Sequence, residues 1–199
     1  MSRHAMRQSQ HEQQDAARIH ARASDDPVGS YLLEDDGTYP NNDRLPVVVY
    51  REAIAVDDED DARHAAGIIE DRFHEQRWEG VWRNGIFSYH HYHSTAHEVL
   101  CLAAGTVRVQ LGGDNGPVFD LEPGDVVVIP AGVAHKNLES SDDLVVVGAY
   151  PPHQIWDINT GDAEERPRAD ENIAAVPLPE TDPVLGPDGP LIALWSIEH

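Results

Sequence analysis

Three histidines and one glutamate occur at spacings that can bring four metal-binding side chains to one point. Gly85 is followed by five residues and then His91-Tyr92-His93; four more lead to Glu98, and six more to Gly105. Further on, Gly124 is followed by five residues, then Pro130-Ala131-Gly132, two more and His135. Imidazole nitrogens with a carboxylate suit one divalent ion of the set Fe, Mn, Ni, Co or Zn. Four protein donors leave a six-coordinate ion two open positions, which substrate or oxygen binding needs. No other stretch groups residues of comparable chemistry.

Strands are the elements that would position these groups. Residues 85–93 alternate aromatic and polar side chains, which predicts an extended strand with His91 and His93 on one face. Glu98 opens a second apolar run, and the connector 94–97 can turn the chain so that Glu98 faces the histidines. His135 must arrive from a distant strand, after the run 125–130. On this reading His90 points to the opposite face. His97, in the turn before Glu98, is either beside the ligands or exposed. Asn137 shares a face with His135 and either touches substrate or stabilises a turn. Phe87 and Tyr89 share the face of His91 and either line a pocket or pack in the core; a buried Tyr89 would need a partner for its hydroxyl. Asn137, Tyr89 and His97 are thus the candidates around the four ligands, and no general base is evident.

These residues resemble the two motifs of the cupin superfamily. Gly85, His91, His93, Glu98 and Gly105 fit every fixed position of the first, and Gly124, Pro130, Gly132 and His135 fit the second. The family usually has Asn four residues after that last histidine; here Glu139 stands there, with Asn137 two residues after. The run from His91 to Glu98, Lys136-Asn137-Leu138, and Arg166-Pro167-Arg168-Ala169-Asp170-Glu171-Asn172 are similar to the YjlB-type single-domain cupins, from about Tyr31 onward. The resemblance implies a mainly β, antiparallel cupin-type barrel (a jelly-roll-like double sheet) with one metal ion on His91, His93, Glu98 and His135. The resemblance does not name a reaction; the metal site itself leads to the expectation of a metal-dependent oxygenase, decarboxylase or isomerase on a small polar or aromatic molecule, and the alternative is a non-catalytic cupin that binds or senses a metal or small ligand. Cupins of this kind often dimerise, so a homodimer is the expected assembly.

Composition limits the partners. The 199 residues carry a net charge of -22, with 36 acidic side chains against 14 basic ones, of which Lys136 is the sole lysine. An acid-rich, lysine-poor surface suits a salt-accumulating halophile, where screening shortens the reach of like-charge repulsion; an ordinary acidic protein is the alternative. The charge excludes nucleic acid and anionic membrane surfaces as partners. No apolar run is long enough to span a membrane, and the one cysteine, Cys101, is expected to be a buried, inert thiol in a cytoplasmic protein.

Along the chain, residues 1–29 are polar and are expected to be disordered or a fraying helix around 10–22, with His4, His11 and His20 solvated. Residues 30–199 read as a single domain. Residues 45–50 predict a strand with proline at its start, and 59–76 a helix with Ala62, Ala65, Ala66, Ile69 and Phe73 on one face. Acidic residues 57–61 stand at its positive end, and His64 and His74 on its surface. Residues 78–150 hold evenly spaced short strands and the metal-binding core, with Gly105, Gly124 and Gly132 placed for positive φ. Residues 151–199, rich in Pro and Gly, predict an extended arm lying over the domain or a neighbouring subunit. Trp156, Ile173, Val176, Leu178, Leu185, Leu191, Ile192 and Trp195 are its expected anchors.

Overall fold

Two antiparallel sheets form the body of the molecule. The structure, a computed structural model, describes residues 27–56 and 61–196. The strands are β1 (Val28–Leu33), β2 (Asn42–Tyr50), β3 (Glu79–Asn84), β4 (Glu98–Ala104), β5 (Val107–Leu111), β6 (Val118–Leu121), β7 (Val126–Ile129), β8 (His135–Ser140) and β9 (Val145–Tyr150). One sheet has the order β1-β2-β7-β4-β9-β3 and the other β6-β5-β8. Every pairing between them is antiparallel, as the double-sheet cupin fold requires.

The central strands of the larger sheet are buried on both faces, which explains why the end of β2 and all of β7 read as continuous apolar runs. Val47, Val49, Leu100, Leu102, Val127 and Ile129 face the barrel interior, while Val48, Tyr50, Val99, Cys101, Val126 and Val128 face outward. The outward face is covered by helix α1 (Ala62–Glu75), whose Ala65, Ala66, Ile69 and Phe73 are buried against it. Asp61 caps this helix by accepting from the Arg63 and His64 amides. Ala62 is only partly buried, and His64 and His74 are exposed. Residues 57–60, like the segment expected to be disordered or a fraying helix and the histidines at 4, 11 and 20, lie outside the described residues.

Four expectations need correction. Pro46 lies inside β2 rather than at its start. It is accommodated because the β1–β2 register shifts between Tyr31 and Leu33 and the β2–β7 ladder begins only at Val48. The strand expected over 85–93 does not form as one: β3 ends at Asn84, where its partner β9 begins, and the chain resumes sheet-like pairing only at the His91 and Tyr92 bridges. Finally, the arm is not uniformly extended. It carries α2 (Arg168–Ala175) and α3 (Pro190–Trp195), and β1 already begins at Val28, inside the polar extension.

The arm lies over the domain and is fastened by polar groups as much as by apolar anchors. Leu191 and Trp195 are buried, but Leu178 and Leu185 are about half exposed, at 49% and 57%. The fully buried Asp182 accepts from the Tyr50 hydroxyl at 2.6 Å and from the Val184, Leu185 and Leu191 amides. Trp195 Nε1 donates to the Pro46 carbonyl, and Trp78 Nε1 to that of Thr181. Arg166 ties the arm to Asp35, at 2.6 Å.

Candidate metal centre

Although β3 ends early, the chain returns to sheet-like pairing at the histidines. His91 and His135 exchange backbone hydrogen bonds of 3.2 and 2.9 Å as an isolated bridge. The next residue, Tyr92, bridges Asn159 and packs with Ala134 and Ala169. The extended backbone at Tyr92 therefore places its ring on one side and the flanking histidines on the other. The turn before His135 requires Gly132: φ is +94°, and a Cβ there would collide with the Asn41 carbonyl and Ile173. Gly105 and Gly124 also have positive φ, 72° and 87°.

The ligand atoms of His91, His93 and His135 all lie within 4.8 Å of one another, and all three residues are buried. Glu98, at the start of β4, adjoins two of them. Its Oε2 lies 3.4 Å from His93 Nε2 and 3.3 Å from His135 Nε2. Neither approach has hydrogen-bond geometry, so Oε2 is a buried oxygen without a partner, as is the His91 Nδ1 nitrogen. Orphaned polar atoms of this kind are costly in a folded core. Three imidazoles and one carboxylate with such orphans fit the donor set of a divalent transition metal.

The remaining atoms of these residues are fixed by neighbours. His93 Nδ1 bonds the Asp157 carbonyl and His135 Nδ1 that of Val133, at 3.2 Å, which leaves both Nε2 atoms facing the cluster. The Asp157 carboxylate is held in turn by the Ser94 amide, at 2.6 Å, and the Ser94 hydroxyl, at 2.5 Å. Asn172 on α2 donates to the same Ser94 hydroxyl. Across the ladder, the Tyr150 hydroxyl donates to Glu98 Oε1 at 2.9 Å and accepts from Trp82 Nε1 at 3.0 Å. Trp82 reaches it by lying over Gly148, where any side chain would collide with the indole.

Electrostatics follow from these contacts. Burial pushes the Glu98 carboxyl up, but His93 and His135 outweigh it and hold the group well below the usual carboxylate range. Burial, with the two other imidazoles, pushes His91 down to about 3. His93 also resists protonation through burial, yet the Glu98 charge raises it above the ordinary histidine value. The Tyr150 hydroxyl is raised by burial and by Glu98, so it stays a proton donor to that carboxylate.

The other candidate residues occupy different places. His97 is neither exposed nor part of the cluster: it is buried, its Nδ1 accepts from the Ala131 amide, and its ring lies 4.7 Å from Trp195. It braces the turn that delivers His135. Asn137 does not line the cavity over the cluster; its side-chain amide donates to Ser140. Phe87 lines that cavity at its rim, stacked on Tyr89 at 5.0 Å, and both are exposed rather than core residues. His90 is buried on the far side, near Tyr39 and Asp114. Cys101 is buried and unpaired, with its thiol pushed far up by burial. Sequence reasoning missed Tyr150, Trp82 and Asp157 as partners of the cluster, since only the register of β3, β4 and β9 and the path of the arm bring them there.

Comparison with known proteins agrees with this architecture. Residues 81–150 match the cupin domain. Over 166 residues the chain is 39% identical to the protein YjlB of Bacillus subtilis (strain 168), covering 83% of this chain and 95% of that one. The chain belongs to the YjlB family of cupins. Among solved structures, it is similar to acireductone dioxygenase from Bacillus anthracis, determined with a cadmium ion. That likeness has 19% identity and a TM-score of 0.35, over 54% of this chain and 73% of that one. Oxalate decarboxylase of Bacillus subtilis is similar at 16% identity and a TM-score of 0.31, over 58% of this chain and 27% of that one. Neither likeness bears on the reaction of this cupin. No helix among the described residues is long and apolar enough to cross a membrane.

Proposed function

We propose that this cupin holds one divalent metal ion on His91, His93, Glu98 and His135 and acts as a metalloenzyme on a small molecule. One observation carries the reading. The ligand atoms of three buried imidazoles lie within 4.8 Å of each other, beside a carboxylate whose inner oxygen has no hydrogen-bond partner. The cluster also lines a cavity of about 430 Å³ that is partly open to solvent.

When bound, the ion supplies Lewis acidity and a place for a substrate oxygen. The protein's own part is to keep His91 neutral by burial, to hold the Glu98 carboxylate through Tyr150, and to flank the site with aromatic walls. Apart from the four ligands, the titratable side chains lining the cavity are Arg83 and Tyr150, and both are engaged. That favours chemistry without a protein general base, such as an oxygenase or decarboxylase reaction. It also gives support to the second reading, a cupin that binds or senses a small ligand without turning it over. The proposal includes a cytoplasmic homodimer adapted to high salt, the last supported by the net charge of -22.

The test is elemental analysis of purified protein. Wild type should carry about one metal per chain, and His91→Ala and His135→Ala should carry none. Undiminished metal in either variant would sink the assignment. Oxygen uptake by the Fe(II)-loaded protein across carboxylates, phenols and thiols separates the enzyme from the binding cupin.

A further inference from the structure

The cavity over the cluster has two unlike parts. His91, His93, Glu98 and His135 form the polar part, and Trp82, Ile86, Phe87, Leu100, Trp156 and Ile158 supply most of the rest. Phe87 and Trp156 are 44% and 45% exposed. Each ring sits against a histidine: Phe87 is 4.9 Å from His91 and Trp156 5.9 Å from His93, between centroids. On a surface otherwise rich in carboxylates, two half-uncovered aromatic rings beside a donor cluster offer flat apolar faces to a ligand.

Charge narrows the class further. Arg83 is the cationic side chain among the described residues lining the cavity, and Glu70 engages it with two bonds of 2.5 and 2.7 Å. The Tyr150 hydroxyl is already used by Glu98 and Trp82. A ligand anion would meet no free cationic side chain there, so only the ion itself would balance charge on the ligand, at its oxygen end. Size is permissive: a benzene-sized cavity is about 150 Å³, so about 430 Å³ admits a substituted ring.

We infer that the cavity takes an aromatic molecule bearing oxygen donors, its ring packed on Phe87 and Trp156 and its oxygens turned to the histidine cluster. A small dicarboxylate offers oxygens to the ion but no ring to those walls, so it binds more weakly. The inference rests on the metal reading above for the oxygen end, and on the cavity walls alone for the ring.

The test titrates the full chain, reconstituted with Zn(II), with catechol and separately with malonate by calorimetry, with zinc measured in every sample. Catechol should bind at least about tenfold more tightly than malonate. Trp156→Ala should weaken catechol binding about fivefold with zinc content unchanged. Trp156→Phe, which keeps a ring, should retain most of the affinity. Malonate binding as tightly as catechol, or Trp156→Ala leaving catechol affinity unchanged at full zinc content, overturns the inference. Failure of the metal reading shows separately, as wild-type protein that retains no zinc. In that case a change in tryptophan fluorescence on adding catechol tests the walls directly, and its absence overturns the inference as well.

Discussion

The two faces of β4 bury ionisable groups in opposite ways. Toward α1 the strand presents Val99, Cys101 and Ala103 to an apolar core. Toward the barrel interior it presents Leu100 and Leu102, with Glu98 at the end beside the histidines. Cys101 and Glu98 are both buried, at 0% and 3% exposure. The thiol has no charged partner to favour its anion, so burial raises it far above its ordinary value and keeps it neutral. Glu98 meets two imidazoles and a tyrosine hydroxyl, which reverse the effect of burial and keep it charged. Burial therefore does not decide protonation in this protein; the partner does.

The comparison can be broken from either face. The largest effect is expected on the helix side. Phe73→Ala should cost about 3–5 kcal/mol of stability by opening a cavity, while metal content per folded molecule stays unchanged. Chemical denaturation and elemental analysis together check this, and a parallel loss of metal would show that the two faces are not independent. On the site face, Tyr150→Phe removes a bond to a buried carboxylate and leaves the Trp82 indole without its acceptor. The expected cost is about 1.5–3 kcal/mol in stability, with metal affinity falling about 10–100-fold. A metal titration that matches wild type would mean that Tyr150 does not orient Glu98.

The smallest effect belongs to the surface pair above the cavity. Arg83, through its two bonds, holds the Glu70 carboxyl below its usual value. A lowered folded-state pKa contributes stability that is complete above the unfolded value, about 4.3, and is lost as pH falls through the folded value. Glu70→Gln should thus cost about 0.5–1 kcal/mol at neutral pH and progressively less below about pH 4. Denaturation curves recorded across that range check the sign; a cost that grows in acid would contradict it.

Much of the fold was legible because its signals are local. The helix face of α1 follows from 3.6-residue periodicity, and the glycines at 105, 124 and 132 from turn geometry. His91, His93 and His135 could be brought together on paper because alternation at Tyr92 survives in two-residue bridges. What failed depends on distant partners. The end of β3 coincides with the start of β9, and Pro46 is tolerated through a register shift with β1. Tyr150 reaches Glu98 only through the β4–β9 register, which pairs Val99 with Ala149. The arm's helices were masked by the surrounding prolines, and Leu178 and Leu185 showed that apolar character in an arm is not by itself anchorage.

Three consecutive arm residues divide their labour. Asp157 turns toward Ser94 and His93, while Trp156 and Ile158 on either side face the cavity. A substitution at 156 or 158 therefore reshapes the cavity wall while leaving untouched the carbonyl that fixes the His93 ring. Wall shape and histidine orientation are separately adjustable within one three-residue stretch of chain.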